Sequence, residues 1–431
     1  MNFQFIRHTW REVRRQPAMN LVGLAGTAFA IFLIMVVVVV GRVDSAEYAP
    51  VSHRDRMLFT RGVDIWYDNG TSRSSYYSMP FIQEIYGNLD GAEAMAVYGS
   101  LEEIDVAAAG RTAFEANLRA TDAGYWDVFD FDFVNGSPYK ADKVGQRYGS
   151  STPAVICASV ARRLYGSEDA EGREILLGHK PYRVAGVVDD VSPHAYMAYS
   201  QIWIPIEGPL ATAVPVSPED FFGDYQVALL ARTGGDMVGI SEAVRERYAA
   251  ANRRLKTQDA SLKTHGQPYD HAVYLSVGGT NSDPEPRSER LEWLVYAILL
   301  LIPAINLSSM TNSLLRQRRM ELGVRRAFGC RRMRVMRDIF VENLLVTLAG
   351  GLVGLVSSWI FISLFIDSFV GIDTWETIFA DATIPPQLLF SWTTFGLAMV
   401  FCFILNLMSV GIPAFNASRM NPVEAISDYE K

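Results

Sequence analysis

Four long runs without a charged side chain constrain this chain more than any other feature. Met19–Gly41, Trp293–Leu315, Asn343–Ile366 and Leu388–Ile412 contain no Asp, Glu, Lys or Arg. A hydrocarbon core about 30 Å thick needs about 20 apolar helical residues to cross it. The runs therefore predict four transmembrane helices, at 19–41, 291–313, 339–366 and 388–412. Arg7, Arg11, Arg14 and Arg15 precede the first run, as in a signal peptide. Its apolar part is longer than the roughly 7 to 15 residues of an h-region and no A-x-A-like site follows, so an uncleaved anchor is expected.

Basic residues in short loops stay on the cytoplasmic side. The link 314–338 carries nine arginines, whereas 367–387 holds Asp367, Asp373, Glu376 and Asp381 and no Lys or Arg. Both termini are thus expected inside, with residues 42–288 forming one large domain outside. That stretch has 23 Lys and Arg against 34 Asp and Glu, a net −11, and the remainder of the −8 chain is +3. An acidic exterior domain argues against nucleic acid, whose phosphates need a basic surface. Of three cysteines only Cys157 falls outside the membrane and cytoplasmic segments, so no intrachain disulfide is expected.

Within 1–18, Phe3, Ile6, Trp10 and Val13 alternate with the four arginines, the pattern of an amphipathic helix at a membrane surface. The exterior domain reads as α+β. Strands are predicted at Met57–Tyr67, Glu93–Ser100, Tyr225–Arg232 and His271–Val277, and helices at Ser78–Leu89 and Met237–Leu255. These form two βαβ-like halves. Between them lies an inserted lobe at about 120–218, with a strand and helix in PAVICASVARRLYG, a hairpin around Gly178–Lys180 and a strand in QIWIPIE. The polar run GGTNSDPEPRSER, Gly278–Arg290, reads as the linker into the second span.

No phosphate-binding G-x-x-x-x-G-K-[ST], H-E-x-x-H or G-x-S-x-G sequence occurs, so neither a nucleotide, zinc nor serine-hydrolase site is expected in this chain. His179, His194, His265 and His271 are expected to be solvated. The acidic pairs Asp189–Asp190 and Glu102–Glu103 are expected to be loop or strand-end charges. None of the four spans has an interior charge, which disfavours a proton-coupled carrier. Small residues recur instead. Gly350, Gly354 and Ser358 in the third span, and Gly26 and Ala30 in the first, form faces on which helices approach closely, within the chain or against a second subunit.

The segment MELGVRRAFGCRR, Met320–Arg332, carries more than topogenic charge. Met320, Val324, Ala327 and Phe328 share one helical face. Glu321 lies four residues before Arg325, an orientation worth about 0.2–0.5 kcal/mol in a helix, and Gly329 is a plausible terminator.

RQRRMELGVRRAFGCRRMRVMRDIFVENLLVTLAGGLVGL resembles the R-x-x-E-[IL]-G-x-R-[RK]-A-x-G segment of FtsX-like and MacB-like ABC transporter permeases. VGIPAFNASRMNPVEAI resembles their closing motif through Pro413, Ala414, Ala417, Asn421, Pro422, Glu424, Ala425 and Ile426. TDAGYWDVFDFDFVNGSP, SVARRLYG and KPYRVAGVVDDV resemble the MacB-like periplasmic core domain. Two departures stand out: Cys330 replaces a small alanine, and the chain ends SDYEK without the frequent Leu-Arg. The resemblance implies a four-span bundle with a porter-like α+β domain between spans 1 and 2, in a bacterial inner membrane. It further implies a separate cytoplasmic ABC ATPase that binds ATP and Mg, no cofactor in this chain, and a second permease copy. Its coupling helix would be Glu321, Leu322, Gly323, Arg325, Arg326, Ala327, Phe328 and Gly329. Work would pass by mechanotransmission, to efflux with a periplasmic adaptor and outer-membrane channel, to lipoprotein release, or to control of a cell-wall hydrolase. The segments would be 314–338 for coupling and 413–431 for the cytoplasmic tail.

Overall fold

The computed structural model describes residues 49–140, 152–193, 195–207 and 214–277, the helix Arg332–Phe369, and 21–37 apart from 22, 23 and 30. It also describes 144, 283, 284, 294, 298, 328, 330, 396, 400 and 404. The expected surface helix at 1–18 and the tail 413–431 lie outside these residues, as do the spans 291–313 and 388–412 apart from a few positions. The chain divides into two compact units, one built on Asp44–Arg287 and the other on Met1–Val43 and Ser288–Val370 among its segments.

The exterior unit is organised on antiparallel and mixed sheet. In chain order the strands are β1 Met57–Phe59, β2 Val63–Tyr67, β3 Ser72–Tyr77, β4 Ala92–Gly99, β5 Glu102–Ala107, β6 Phe114–Thr121, β7 Phe133–Gly136 and β8 Pro153–Cys157. They continue with β9 Glu174–Leu177, β10 Lys180–Val188, β11 Ile202–Pro205, β12 Phe222–Gly223, β13 Tyr225–Ala231, β14 Ala260–Lys263 and β15 Tyr269–Asp270. Along the sheet the order is β11-β8-β10-β9-β5-β6-β4-β13-β3-β2-β14. β4 and β13 pair antiparallel from Gly99↔Tyr225 to Ala92↔Ala231, so strands far apart in sequence form the centre.

One face is covered by helices Met79–Ile85 and Asp236–Leu255. In the latter, Ile240, Val244, Tyr248, Ala251 and Leu255 are buried, the i, i+4, i+8 rhythm of a core-facing stripe. They meet Val63, Ile65, Tyr77, Val97, Val227, Leu229 and Leu262 from the sheet. Ser78 caps the shorter helix by accepting from the Phe81 N–H at 3.3 Å, with Pro80 in its first turn. Its other end is closed by Arg247, whose Nη1 donates to the carbonyls of Ile85 at 3.0 Å and Gly87 at 2.6 Å. A cation suits this end because the last carbonyls carry the negative pole of the helix.

The middle section follows its predicted elements: strand β8 running into helix Ala158–Tyr165, the β9–β10 hairpin, and β11. The hairpin turns on two residues, Gly178 at φ 51° and His179 at φ 66°, the positive-φ pair that a tight hairpin demands. β5 and β6 pair with β9 and β11, so the strands of this section begin at Glu102, before the residue 120 expected.

Two expectations are corrected. Met57–Tyr67 is not one strand: β1 pairs with β13 and β15 while β2 pairs with β3 and β14, and the chain changes partners at Thr60–Gly62. His271–Val277 is not a strand: His271–Ser276 is a helix, capped by the Asp270 carboxylate, which accepts from the Val273 N–H at 2.8 Å. Local capping and the packing of Tyr274 on Phe59, ring centroids 5.5 Å apart, override the β-propensity of this stretch.

The second unit contributes one described helix long and apolar enough to cross a membrane, Thr347–Phe365. It lies inside a continuous helix, Arg332–Phe369, of 38 residues, about 57 Å at 1.5 Å per residue. A shorter apolar helix covers Leu24–Val37.

Candidate functional site

Most of the expected coupling helix, Glu321, Leu322, Gly323, Arg325, Arg326, Ala327 and Gly329, lies outside the described residues. Phe328 is described: it sits in a turn, 88% exposed. Cys330 has no regular structure and the long helix starts at Arg332. Arg334 and Arg337, on its first turns, are exposed. The basic segment thus stands next to the membrane helix in sequence, with Arg332 as the first helical residue.

Along that helix Gly350, Gly354 and Ser358 are buried. A side chain added at Gly350 would sit 2.9 Å from both the Leu24 carbonyl oxygen and Thr27 Cβ, and one at Gly354 would collide with the Ala28 carbonyl. The small-residue face is thus occupied by the chain's own Leu24–Val37 helix. Gly26 has nothing within 4 Å of such a position, so it takes no part in the close approach, and Ala30 lies outside the described residues. Phe32 and Phe361 extend the contact edge to face, centroids 5.2 Å apart.

In the exterior unit the motif TDAGYWDVFDFDF builds an aromatic cluster rather than a reactive site. Tyr125 stacks near Phe129 at 4.7 Å, Phe131 on Trp203 at 5.2 Å, and Trp126 on Tyr139 at 5.4 Å. The Tyr125 hydroxyl donates to the Ala198 carbonyl at 2.7 Å. Asp122 accepts from the Val97 and Tyr125 N–H groups, both at 3.0 Å, and burial still pushes its carboxyl up to about 7.

Two of the histidines expected to be solvated are not. His271 packs against Phe59, and burial, followed by the nearby Arg54 charge, holds its imidazole down at about 3. His265 stands between Asp283, 2.7 Å from Nδ1, and the buried Asp64, 3.2 Å from Nε2. Asp64 also accepts from Trp66 Nε1 at 2.6 Å and Ser74 Oγ at 2.7 Å. Sequence reasoning missed this bridge because its buried member, Asp64, is 201 residues from His265 in the chain; an Asp between Val63 and Ile65 in a strand was the one visible signal. His179 does lie exposed in a turn, and His194 is outside the described residues. Asp190 is engaged by Arg162 Nη2 at 2.8 Å, and no group of three or more metal-ligating side chains occurs among the described residues.

Buried hydroxyls of Tyr77, Tyr86 and Tyr248 form a triangle with edges of 3.0 to 3.3 Å. Tyr77 donates onward to Gln267 Oε1 at 2.8 Å. Desolvation raises Tyr77 and Tyr86 well above the usual phenol range, so these groups serve as neutral hydrogen-bonding pins of the core.

Comparison with known proteins gives a coherent answer. A family model of the MacB-like periplasmic core domain matches residues 21–247, and one of the FtsX-like permease C-terminal region matches 293–422. The macrolide export ATP-binding/permease protein MacB 2 of Aeromonas hydrophila is 21% identical over 98% of this chain and 62% of its own length. MacB of Burkholderia pseudomallei is 26% identical over 70% of this chain and 42% of its own length. The chain thus spans roughly half of the curated relatives it matches. Among solved structures, the extracellular domain of the ABC-type transporter YknZ from Gram-positive bacteria covers 47% of this chain and 99% of that one, at 15% identity and TM-score 0.30. The periplasmic region of MacB from Actinobacillus actinomycetemcomitans covers 48% and 90%, at 16% identity and TM-score 0.30. With both family models matched in order along the sequence, this chain belongs to the FtsX-like, MacB-like family of ABC transporter permeases, membrane proteins with a large extracytoplasmic domain.

Proposed function

We propose that the chain is the permease subunit of an ABC transporter that works by mechanotransmission. A separate cytoplasmic ATPase, holding ATP and Mg, would grip the coupling segment 314–338; its closure would move the membrane helices and, through them, the exterior domain. The observation that carries this reading is the junction at Arg332. The family's Glu321–Gly329 motif ends three residues before Arg332 in the sequence, where a helix begins that holds a stretch long enough to cross the bilayer, and Phe328 of that motif is exposed.

The remainder of the reading rests on the sequence and on kinship. Four spans put both termini in the cytoplasm and residues 42–288 in the periplasm of a bacterial inner membrane, and a second permease copy completes the assembly. Export of a periplasmic substrate, with an adaptor and outer-membrane channel, is the output that the relatives named for macrolide export favour. Purification of the full chain in mild detergent, followed by identification of bound proteins, tests this. A co-purifying cytoplasmic ATPase is expected. Recovery of a cell-wall hydrolase on the exterior domain with an ATPase redirects the output to regulation, and recovery of no ATPase overturns the proposal.

A further inference from the structure

We infer that Gly350 and Gly354 fasten the Arg332–Phe369 helix to the Leu24–Val37 helix, so that the first and third spans move as one body. The inference rests on the proposed function for what drives the motion; the contact itself stands apart from it.

Both helices present a matched ridge. Thr27, Ile31 and Met35 are buried at i, i+4 and i+8 on one, and Gly350, Gly354, Ser358 and Ile362 at the same spacing on the other. Leu352, Val353, Val356, Trp359, Ile360 and Leu364 point away and are exposed. Where lipid is as apolar as the side chains, helices are held by close packing rather than by water exclusion. Here the packing is backbone on backbone: the space a methyl group would need at Gly350 or Gly354 is taken by the carbonyls of Leu24 and Ala28. Rotating the long helix by one or two residues would drive Leu352 or Val353 into those carbonyls. The contact therefore resists sliding and rotation.

The mechanical consequence follows from connectivity. Displacement of the long helix at its first turn is carried through the glycines to Leu24–Ala28, and so to the whole Leu24–Val37 helix.

Double-cysteine chains test both halves. With Cys157, Cys330 and Cys402 replaced by serine, T27C/G350C probes the closest approach: its Cβ atoms would stand 2.9 Å apart, so the helices must part by about an ångström to reach the roughly 3.8 Å of a disulfide. F32C/F361C, bridged by a short bis-maleimide, repeats the test without touching a glycine. In native membranes, T27C/G350C on oxidation to a reducible disulfide and F32C/F361C on thioether formation with the bis-maleimide are each expected to link within one chain, to lose free thiol and to remain at monomer mass; adding Gly354→Leu should abolish the link. Covalent dimers, or no link in either pair, would overturn the contact. In the assembly with its ATPase, linked and reduced chains are expected to couple hydrolysis to exterior movement equally. Loss of coupling on linking that a reductant restores would show that the two spans must slide, and would overturn the single-body inference. If no ATPase binds at all, the driving reading fails while the cross-link still decides the contact.

Discussion

Buried ionisable side chains give this exterior domain opposing pH dependences that single substitutions separate. His271 is held at about 3, below the ordinary 6.5, by burial and then by Arg54. Its depressed value favours the fold above pH 6.5 and withdraws that support as pH falls toward 3. His271→Gln is expected to flatten the loss of thermal stability of the full chain in detergent between those limits; an unchanged slope would contradict the burial. Asp122 works the other way. Raised from 3.8 to about 7, it favours the fold below pH 3.8, and the contribution disappears as pH rises through 7. Asp122→Asn keeps an oxygen to accept from Val97 and Tyr125, so it should raise the melting temperature relative to the native chain at pH 8 and not at pH 4. An equal shift at both would show that the proton is not the cause.

At the scale of elements, several helices and strands depend on partners remote in sequence. Arg247 closes the end of the Met79–Ile85 helix from 160 residues away, so Arg247→Ala should cost about 2 kcal/mol through its charged hydrogen bonds, measured by denaturant unfolding. A cost near zero would mean that water replaces them. The same remoteness explains which elements were readable. β4, β13, the Asp236–Leu255 helix and the β9–β10 hairpin carry their signals locally, in short apolar runs with Val and Tyr, a core-facing stripe and a Gly-His turn. β3, with the sequence SRSSYY, and β5, EEIDVA, have few apolar residues because each offers much of its length to solvent, and no alternation marked them. His271–Ser276 misled because its β-branched and aromatic composition is outweighed by one cap and one aromatic contact. The small-residue stripe was visible at Gly350 and Gly354, but its partner was not: only the backbone approach of Leu24 and Ala28 says what fills it.

For the molecule as a whole, the proposed function makes the basic loop 314–338 the point where an ATPase attaches. The arginine count alone is explained by anionic lipid, with each charge contributing about 1 kcal/mol at the membrane surface. Phe328, exposed in that loop, adds an apolar side chain beside the charges. The coupling account assigns it to the ATPase groove and assigns Glu321 to the same interface. The decisive measurement is therefore ATP hydrolysis and exterior-domain movement, recorded together in reconstituted membranes for Glu321→Lys and Phe328→Asp. The account predicts that both variants insert normally and lose at least about tenfold in coupling, equivalent to ~1.4 kcal/mol. Unchanged ATPase binding and unchanged coupling in both would contradict it.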